Sequence, residues 1–337
     1  MTALTVLLAL LAALSNASAS VLQRRAAVQE QEREQEHEQR REQTRGQGRG
    51  QGRGQGPEPA GGAAGPERSA VRRYAHLLRR PYWLAGAGLL ALSSLLQAGA
   101  LAVGSLSLVQ PLLAAELLFT LAVGSVVFRR RPDGRTWLAF AALGGGLALF
   151  LLAAAPSPGR PTARPGDWLL GGGGALGTVV LLVTVARPAR GASRAALLGL
   201  ASAVSFALTA ALLKEAVGRL GQGPAAMFGH WSLYATGGAG LVAFLLLQGA
   251  FGAGSLTASQ PALTLGDALT SVVLGWVLFA ESIRLGLNVL PEAIGVALIG
   301  AGSIGLAHAS SVGGEWDATD PGTSPGSAPA VPRTPRR

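Results

Sequence analysis

The sequence predicts an all-α, polytopic membrane bundle of about nine transmembrane helices built as inverted repeats. Three observations predict it. Apolar runs of about 20 residues recur along the chain, the length that crosses a hydrocarbon core of roughly 30 Å. Arginine gathers between those runs rather than within them, the distribution that sets orientation in a bilayer. A segment that opens one run, Ser105 to Pro111, returns as Ser255 to Pro261, which marks an internal duplication. A composition of 49% apolar and 14% charged residues suits lipid better than water. Backbone surrounded by lipid must satisfy its own N–H and C=O groups, so each run is expected to close as a helix.

The expected spans are 3–22, 83–103, 106–128, 137–155, 168–186, 195–214, 231–251, 256–280 and 289–309. They divide the chain into a first helix (1–22), a charged and glycine-rich insert (23–81), the remainder of a first repeat (82–155), an unpaired span with its loops (156–194), a second repeat (195–310) and a tail (311–337). The insert runs through QEQEREQEHEQRREQTR and then repeats Gly-Gln-Gly-Arg. It offers no apolar side chain to bury there, and the Pro/Gly/Ser-rich tail offers few, so both are expected to be disordered. The first run ends in Ala-Ser-Ala-Ser, which resembles a signal-peptidase site. Basic residues follow that run at Arg24 and Arg25 and none precedes it, which favours an uncleaved helix with its C-terminal end in the cytoplasm.

Counting arginines fixes the expected orientation. With the N-terminus outside, only Arg160, Arg164, Lys214, Arg219 and Arg284 fall on outer segments, leaving 23 of the 28 basic residues, the insert and the C-terminus on the cytoplasmic side. A net charge of +10 then reads as contact with anionic lipid headgroups, and no nucleic-acid partner is expected. Lys214 is the only lysine, a usage that points to a GC-rich bacterial genome. Zero cysteines exclude disulfides and thiolate metal sites. Neither a nucleophile, base and orienter set nor metal-ligand spacing occurs, so no enzyme activity and no cofactor are expected.

The duplication extends beyond its core. Ser105-Leu-Ser-Leu-Val-Gln110-Pro111 and Ser255-Leu-Thr-Ala-Ser-Gln260-Pro261 stand 150 residues apart, Trp83 and Gln97 correspond to Trp231 and Gln248 when one gap is allowed, and 15–24 aligns with 205–214. One unpaired span lies between the halves, so equivalent spans run in opposite directions about an axis in the membrane plane. Such halves can rock and expose a midplane site to either side in turn.

Two carboxylates lie deep within spans, Glu116 and Asp267, one residue out of repeat register. A charge at a helix centre costs about 2.5–3.5 kcal/mol on insertion scales and normally faces a cavity or the bundle interior. The pair is a candidate site for binding a cation or exchanging protons; a protonated acid bonded to a neighbouring helix is the plainer reading. Gln110-Pro111 and Gln260-Pro261 sit about one turn into their helices, where proline frees a carbonyl and permits a break. An ordinary proline near a helix start competes with that view. Asn16, Gln97 and Gln248 are further intramembrane amides, serving as interhelical glue or as cavity lining. Lys214, Glu215, Glu281 and Glu292 fall near span ends, where snorkelling to the interface accounts for them. The glycines at 144–146, 171–174, 295, 300, 302 and 305 read as close-packing surfaces.

The run LLQAGALAVGSLSLVQPLLAAELLFTL, its partner SLTASQPALTLGDALTSVVLGWVLFAE and the closing IGVALIGAGSIGLAHA resemble the drug/metabolite transporter superfamily. The nine-span layout with an insert after the first helix is similar to its magnesium-transporter-like NIPA branch. The resemblance covers roughly 3–25 and 82–309. It implies transport of a small solute or divalent cation, with Glu116 and Asp267 as the metal-facing groups if Mg²⁺ is the cargo. Gln110 and Gln260 stand where the family carries small or hydroxylated residues. A multi-pass protein of the cell membrane is expected, its partners being the bilayer, its substrate and coupled protons, and it is compatible with a homodimer. The competing reading is a non-transporting membrane scaffold whose basic insert recruits partners or anionic lipid.

Overall fold

A computed structural model describes residues 3–25, 40, 81–127, 133–154, 159–253, 256–282 and 289–308. Most of the 23–81 insert, the 311–337 tail and Arg284 lie outside the described residues. The helices are α1 (Ala3–Arg25), α2 (Pro81–Val103), α3 (Leu106–Leu113), α4 (Glu116–Val127), α5 (Gly134–Ala154), α6 (Pro165–Ala186), α7 (Gly191–Gly218), α8 (Pro224–Phe228), α9 (Trp231–Ala253), α10 (Leu256–Phe279) and α11 (Val289–Ala307). Nine helical segments among the described residues are long and apolar enough to cross a membrane, with α3 and α4 forming one of them. The protein is therefore a multi-pass α-helical membrane protein.

Small residues decide which helices meet. The 28-residue α7 carries Ala, Ser and Gly along most of its length, and Ala201, Ala203, Ala207 and Ala211 are fully buried. It packs against α9, α10 and α6. The α5–α11 pair shows the same logic at closest range. A Cβ on Gly146 would stand 2.7 Å from the Ile299 backbone nitrogen, and one on Gly302 2.5 Å from that of Leu143. Gly295 meets Phe150, and Gly305 meets Ala139. The pairing is antiparallel, since residue numbers rise on one helix as they fall on the other. Gly145, Gly173 and Gly174, expected on packing surfaces, meet nothing within 4 Å.

The duplicated halves are visible in these contacts. α1 and α2 pack antiparallel, with Gly99 against Leu8, and Ser93 Oγ donates to Ala12 O at 2.8 Å. α7 and α9 do the same, with Gly240 against Thr209, and Ser202 Oγ donates to Ala243 O at 2.8 Å. Residues 12 and 202 are 190 apart, the offset of the first and sixth spans, and Ala243 lies one residue from Phe244, the position that the Gln97–Gln248 register pairs with Ser93, so the two bonds occupy neighbouring repeat positions with donor and acceptor exchanged. The third and eighth spans also run antiparallel. Ser107 lies beside Gly275, whereas Pro111 lies beside Leu265 and Ala268.

Candidate functional site

The third span is broken, as the proline suggested, but not where it was expected. Pro111 has no N–H to give, and the helix tightens after it: Ala114, Ala115 and Leu117 donate to carbonyls three residues back at 3.0–3.2 Å. α3 ends at Leu113 and α4 begins at Glu116. The break thus lies one turn beyond Gln110-Pro111. In the second half Pro261 is accommodated inside a continuous α10.

The break places Glu116 at the start of α4, where Asn16 Nδ2 of α1 donates to its Oε2 at 2.6 Å. Two of the candidate residues are therefore joined across the first repeat. Asp267 stands on α10, next to Gly266, which packs on Leu200 and Ala203 of α7. Its Oδ1 is buried and has no partner among the described residues, as are the hydroxyls of Ser271, one turn on, and Ser303 of α11. Gln110 is buried and Pro111 fully so, whereas Gln97, Gln260 and Pro261 are half-buried and Gln248 is exposed on the bundle surface. Where α3 meets α10 beside Pro111, a void of about 10 Å³ is lined only by apolar groups. Among the described residues no group of three or more His, Asp or Glu could hold a metal ion.

The densest buried polar centre among the described residues involves residues whose positions near span ends predict interfacial side chains. Snorkelling does not describe Lys214, Glu215 or Glu281, which are 3%, 1% and 0% exposed. The reason is helix length. The stretch after Ala211 consists of good helix formers, so α7 continues to Gly218 instead of ending at 214. Lys214 Nζ donates to Glu281 Oε1 at 2.7 Å and to Gly104 O at 2.8 Å, and lies 4.9 Å from the centre of the Phe279 ring. Glu281 also caps α3, accepting the N–H of Leu106 (2.7 Å), the N–H of Ser107 (2.9 Å) and the Ser107 hydroxyl (2.6 Å). A carboxylate there satisfies orphan donors and meets the positive end of the helix dipole. Ala280, with φ of 51°, turns the chain back after α10 so that the Glu281 N–H reaches Gly275 O. Gly275 must be small, because its Cβ would fall 2.3 Å from Glu281 Oε2. The centre fastens α3 of the first half to α7 and α10 of the second.

A strap closes over this end of the bundle. The Arg160 N–H donates to Phe279 O at 2.6 Å, the Ala163 N–H donates to Glu215 Oε2 at 2.7 Å, and Gly218 lies against Pro161 O. Arg219 pairs with Glu215 at 2.8 Å, and Arg160 with Asp167 at 2.9 Å. Nearby, in the turn before α9, burial and then the Arg219 charge push the His230 imidazole below its ordinary value, with Glu215 opposing. In the unfolded chain His230 regains its ordinary value near 6.5, so it binds a proton more readily than the folded one. Stability from this residue is complete above that value and falls as the pH drops below it. His230→Gln is expected to flatten the fall in thermal stability of detergent-solubilised protein between about pH 7.5 and pH 5. An unchanged pH slope would refute that.

α5 opens on Asp133, whose carboxylate accepts the Thr136 hydroxyl and its N–H. The Thr136 hydroxyl bond, with the N–H bond after it, holds that carboxyl below its usual range.

No family model matches the chain, and no solved structure matches it. It is similar to an uncharacterised protein of Corynebacterium glutamicum, 29% identical over 214 residues, which make up 62% of this chain and 72% of that relative. The helices thus define the class, a multi-pass membrane protein, and the function is argued from their arrangement.

Proposed function

We propose that the protein is a membrane transporter of the drug/metabolite type, moving a small solute or a divalent cation by alternating access. One observation carries the reading: a carboxylate, Glu116, stands at the break of the third span, and the antiparallel eighth span carries a second, Asp267, with a buried oxygen that has no partner among the described residues. Interrupted helices and intramembrane acids are the usual furniture of transport sites. The matched serine bonds of the two halves support the inverted duplication that rocking requires. The sequence resemblance to the NIPA branch points the same way. Mg²⁺ sheds water reluctantly and is usually held by one or two carboxylates with waters retained, so a single buried carboxylate with neighbouring amides suits a hydrated ion as cargo.

Uptake into proteoliposomes against Mg²⁺, amino acids and cationic drugs, with and without a pH gradient, tests this. Glu116→Gln and Asp267→Asn are each expected to lower flux at least about tenfold, the scale of losing a charge-assisted contact, while inserting normally. Full flux in both variants would remove the site assignment, and no flux of any compound by the wild-type protein would remove the transporter reading.

A further inference from the structure

Away from the two carboxylates, an apolar groove of about 530 Å³ runs between α6, α7 and α9. Trp168, Leu212 and Trp231 line it near the strapped end, and Val179, Ser205 and Val242 at its inner end. From Trp168 to Val179 along α6 is about 16 Å at 1.5 Å per residue. That is close to one leaflet of hydrocarbon, half of a core of roughly 30 Å. The lining offers almost nothing to a polar solute. Ser205 already donates its hydroxyl to Ala201 O at 2.9 Å.

The outer mouth is different in character. Trp168 follows Asp167, the partner of Arg160, and Trp231 follows His230, which feels the charge of Arg219. The two indoles pack edge to face, 5.4 Å between centres, and frame the entrance. The arginine side chains stay 33% and 26% exposed even when paired. Nη1 of Arg160, Nε of Arg219 and Nε1 of Trp168 are buried atoms with no acceptor among the described residues. Glu215, the partner of Arg219, is 1% exposed, and Arg164 is exposed beside Arg160, so the surface of the mouth is positive.

We propose that this groove is a binding site for an anionic phospholipid. One acyl chain lies along α6, α7 and α9, and the phosphate sits between Arg160 and Arg219 beneath the tryptophan pair. The length of one leaflet selects a lipid tail, and the positive surface of the mouth selects an anionic head over a zwitterionic one. The site is separate from Glu116 and Asp267 and does not depend on transport.

The test uses full-length protein in phosphatidylcholine vesicles, with the tryptophans other than Trp168 and Trp231 changed to Phe. Phosphatidylglycerol or phosphatidylcholine with brominated acyl chains is then titrated in as quencher. Quenching is expected at a mole fraction of brominated phosphatidylglycerol about fivefold lower than for brominated phosphatidylcholine, the preference expected of an arginine at a membrane surface. Arg160→Gln combined with Arg219→Gln should erase the difference. Gly173→Leu combined with Gly238→Leu fills the groove without a clash, because a Cβ at either glycine meets nothing within 4 Å, and should abolish the preferential quenching in a normally folded protein. Equal quenching by both lipids would overturn the proposal. So would a preference that survives both double variants, or a groove-filled protein that changes from dimer to monomer with its lipid preference intact, which would assign the groove to a second copy.

Discussion

Glu281→Ala is expected to destabilise the protein by about 3–5 kcal/mol, the cost of leaving one member of a buried ion pair without its counter-charge. Two losses combine in that figure. The Lys214 ammonium, 3% exposed, keeps only the Gly104 carbonyl and the Phe279 ring. The first N–H groups of α3 lose the carboxylate that caps them. The pair itself need not be stabilising, because neutral groups of similar shape often replace a buried ion pair without loss. Lys214→Met with Glu281→Gln should therefore recover most of the stability, since the Gln carbonyl can still accept at α3 and no charge is stranded. Thermal unfolding in detergent, followed by size-exclusion fluorescence, reads both variants. A Glu281→Ala shift no larger than that of an exposed substitution would show that the ion pair is dispensable, and a double variant as damaged as the single one would place the energy in the charges themselves.

The second large effect concerns helix contact rather than charge. Gly302→Leu should prevent α5 and α11 from closing, since even its Cβ would sit 2.5 Å from the Leu143 nitrogen and 2.7 Å from its Cα. Those atoms are backbone, so no side-chain rotation relieves the clash. Gly302→Ala alone is expected to cost about 1–3 kcal/mol through overpacking. Gly145→Ala, on the partner helix α5 but facing open space, should be neutral or gain up to about 1 kcal/mol from helix propensity. Unfolding midpoints of the two alanine variants give a paired comparison with one chemical change. If both shift alike, propensity and not close packing governs this pair.

The helices were legible in the sequence because a bilayer imposes one simple requirement, a run of apolar residues of sufficient length. The repeat was legible because proline, glutamine and serine recur at fixed spacing in an otherwise monotonous composition. The ion pair was not. Lys214 and Glu281 lie where apolar runs fade, and that position alone is equally consistent with a side chain reaching headgroups. The overlooked signal is the stop of α7. Ala-Leu-Leu-Lys-Glu-Ala-Val contains no helix breaker, and the first glycine is Gly218, so the only lysine was always a turn inside its helix. The break near Glu116 was half legible. Pro111 announced an interruption, but the tightened turn at Ala114 and Ala115 has no composition of its own. Why Pro261 leaves α10 continuous while Pro111 ends α3 depends on neighbours from other helices, which no local pattern records.

The strap from residue 159 to residue 164 bears on the energetics of any rocking motion. It belongs to the connection leading into α6, the span without a counterpart in the other half, yet it is bonded to the ends of both α7 and α10. Both of those helices belong to the second half, so the strap fastens the unpaired span to that half. Each of its two bonds is worth about 1 kcal/mol, enough together to favour the docked connection by more than tenfold. In a transporter of the proposed kind, α6 would then travel with the second half as a single body against the first.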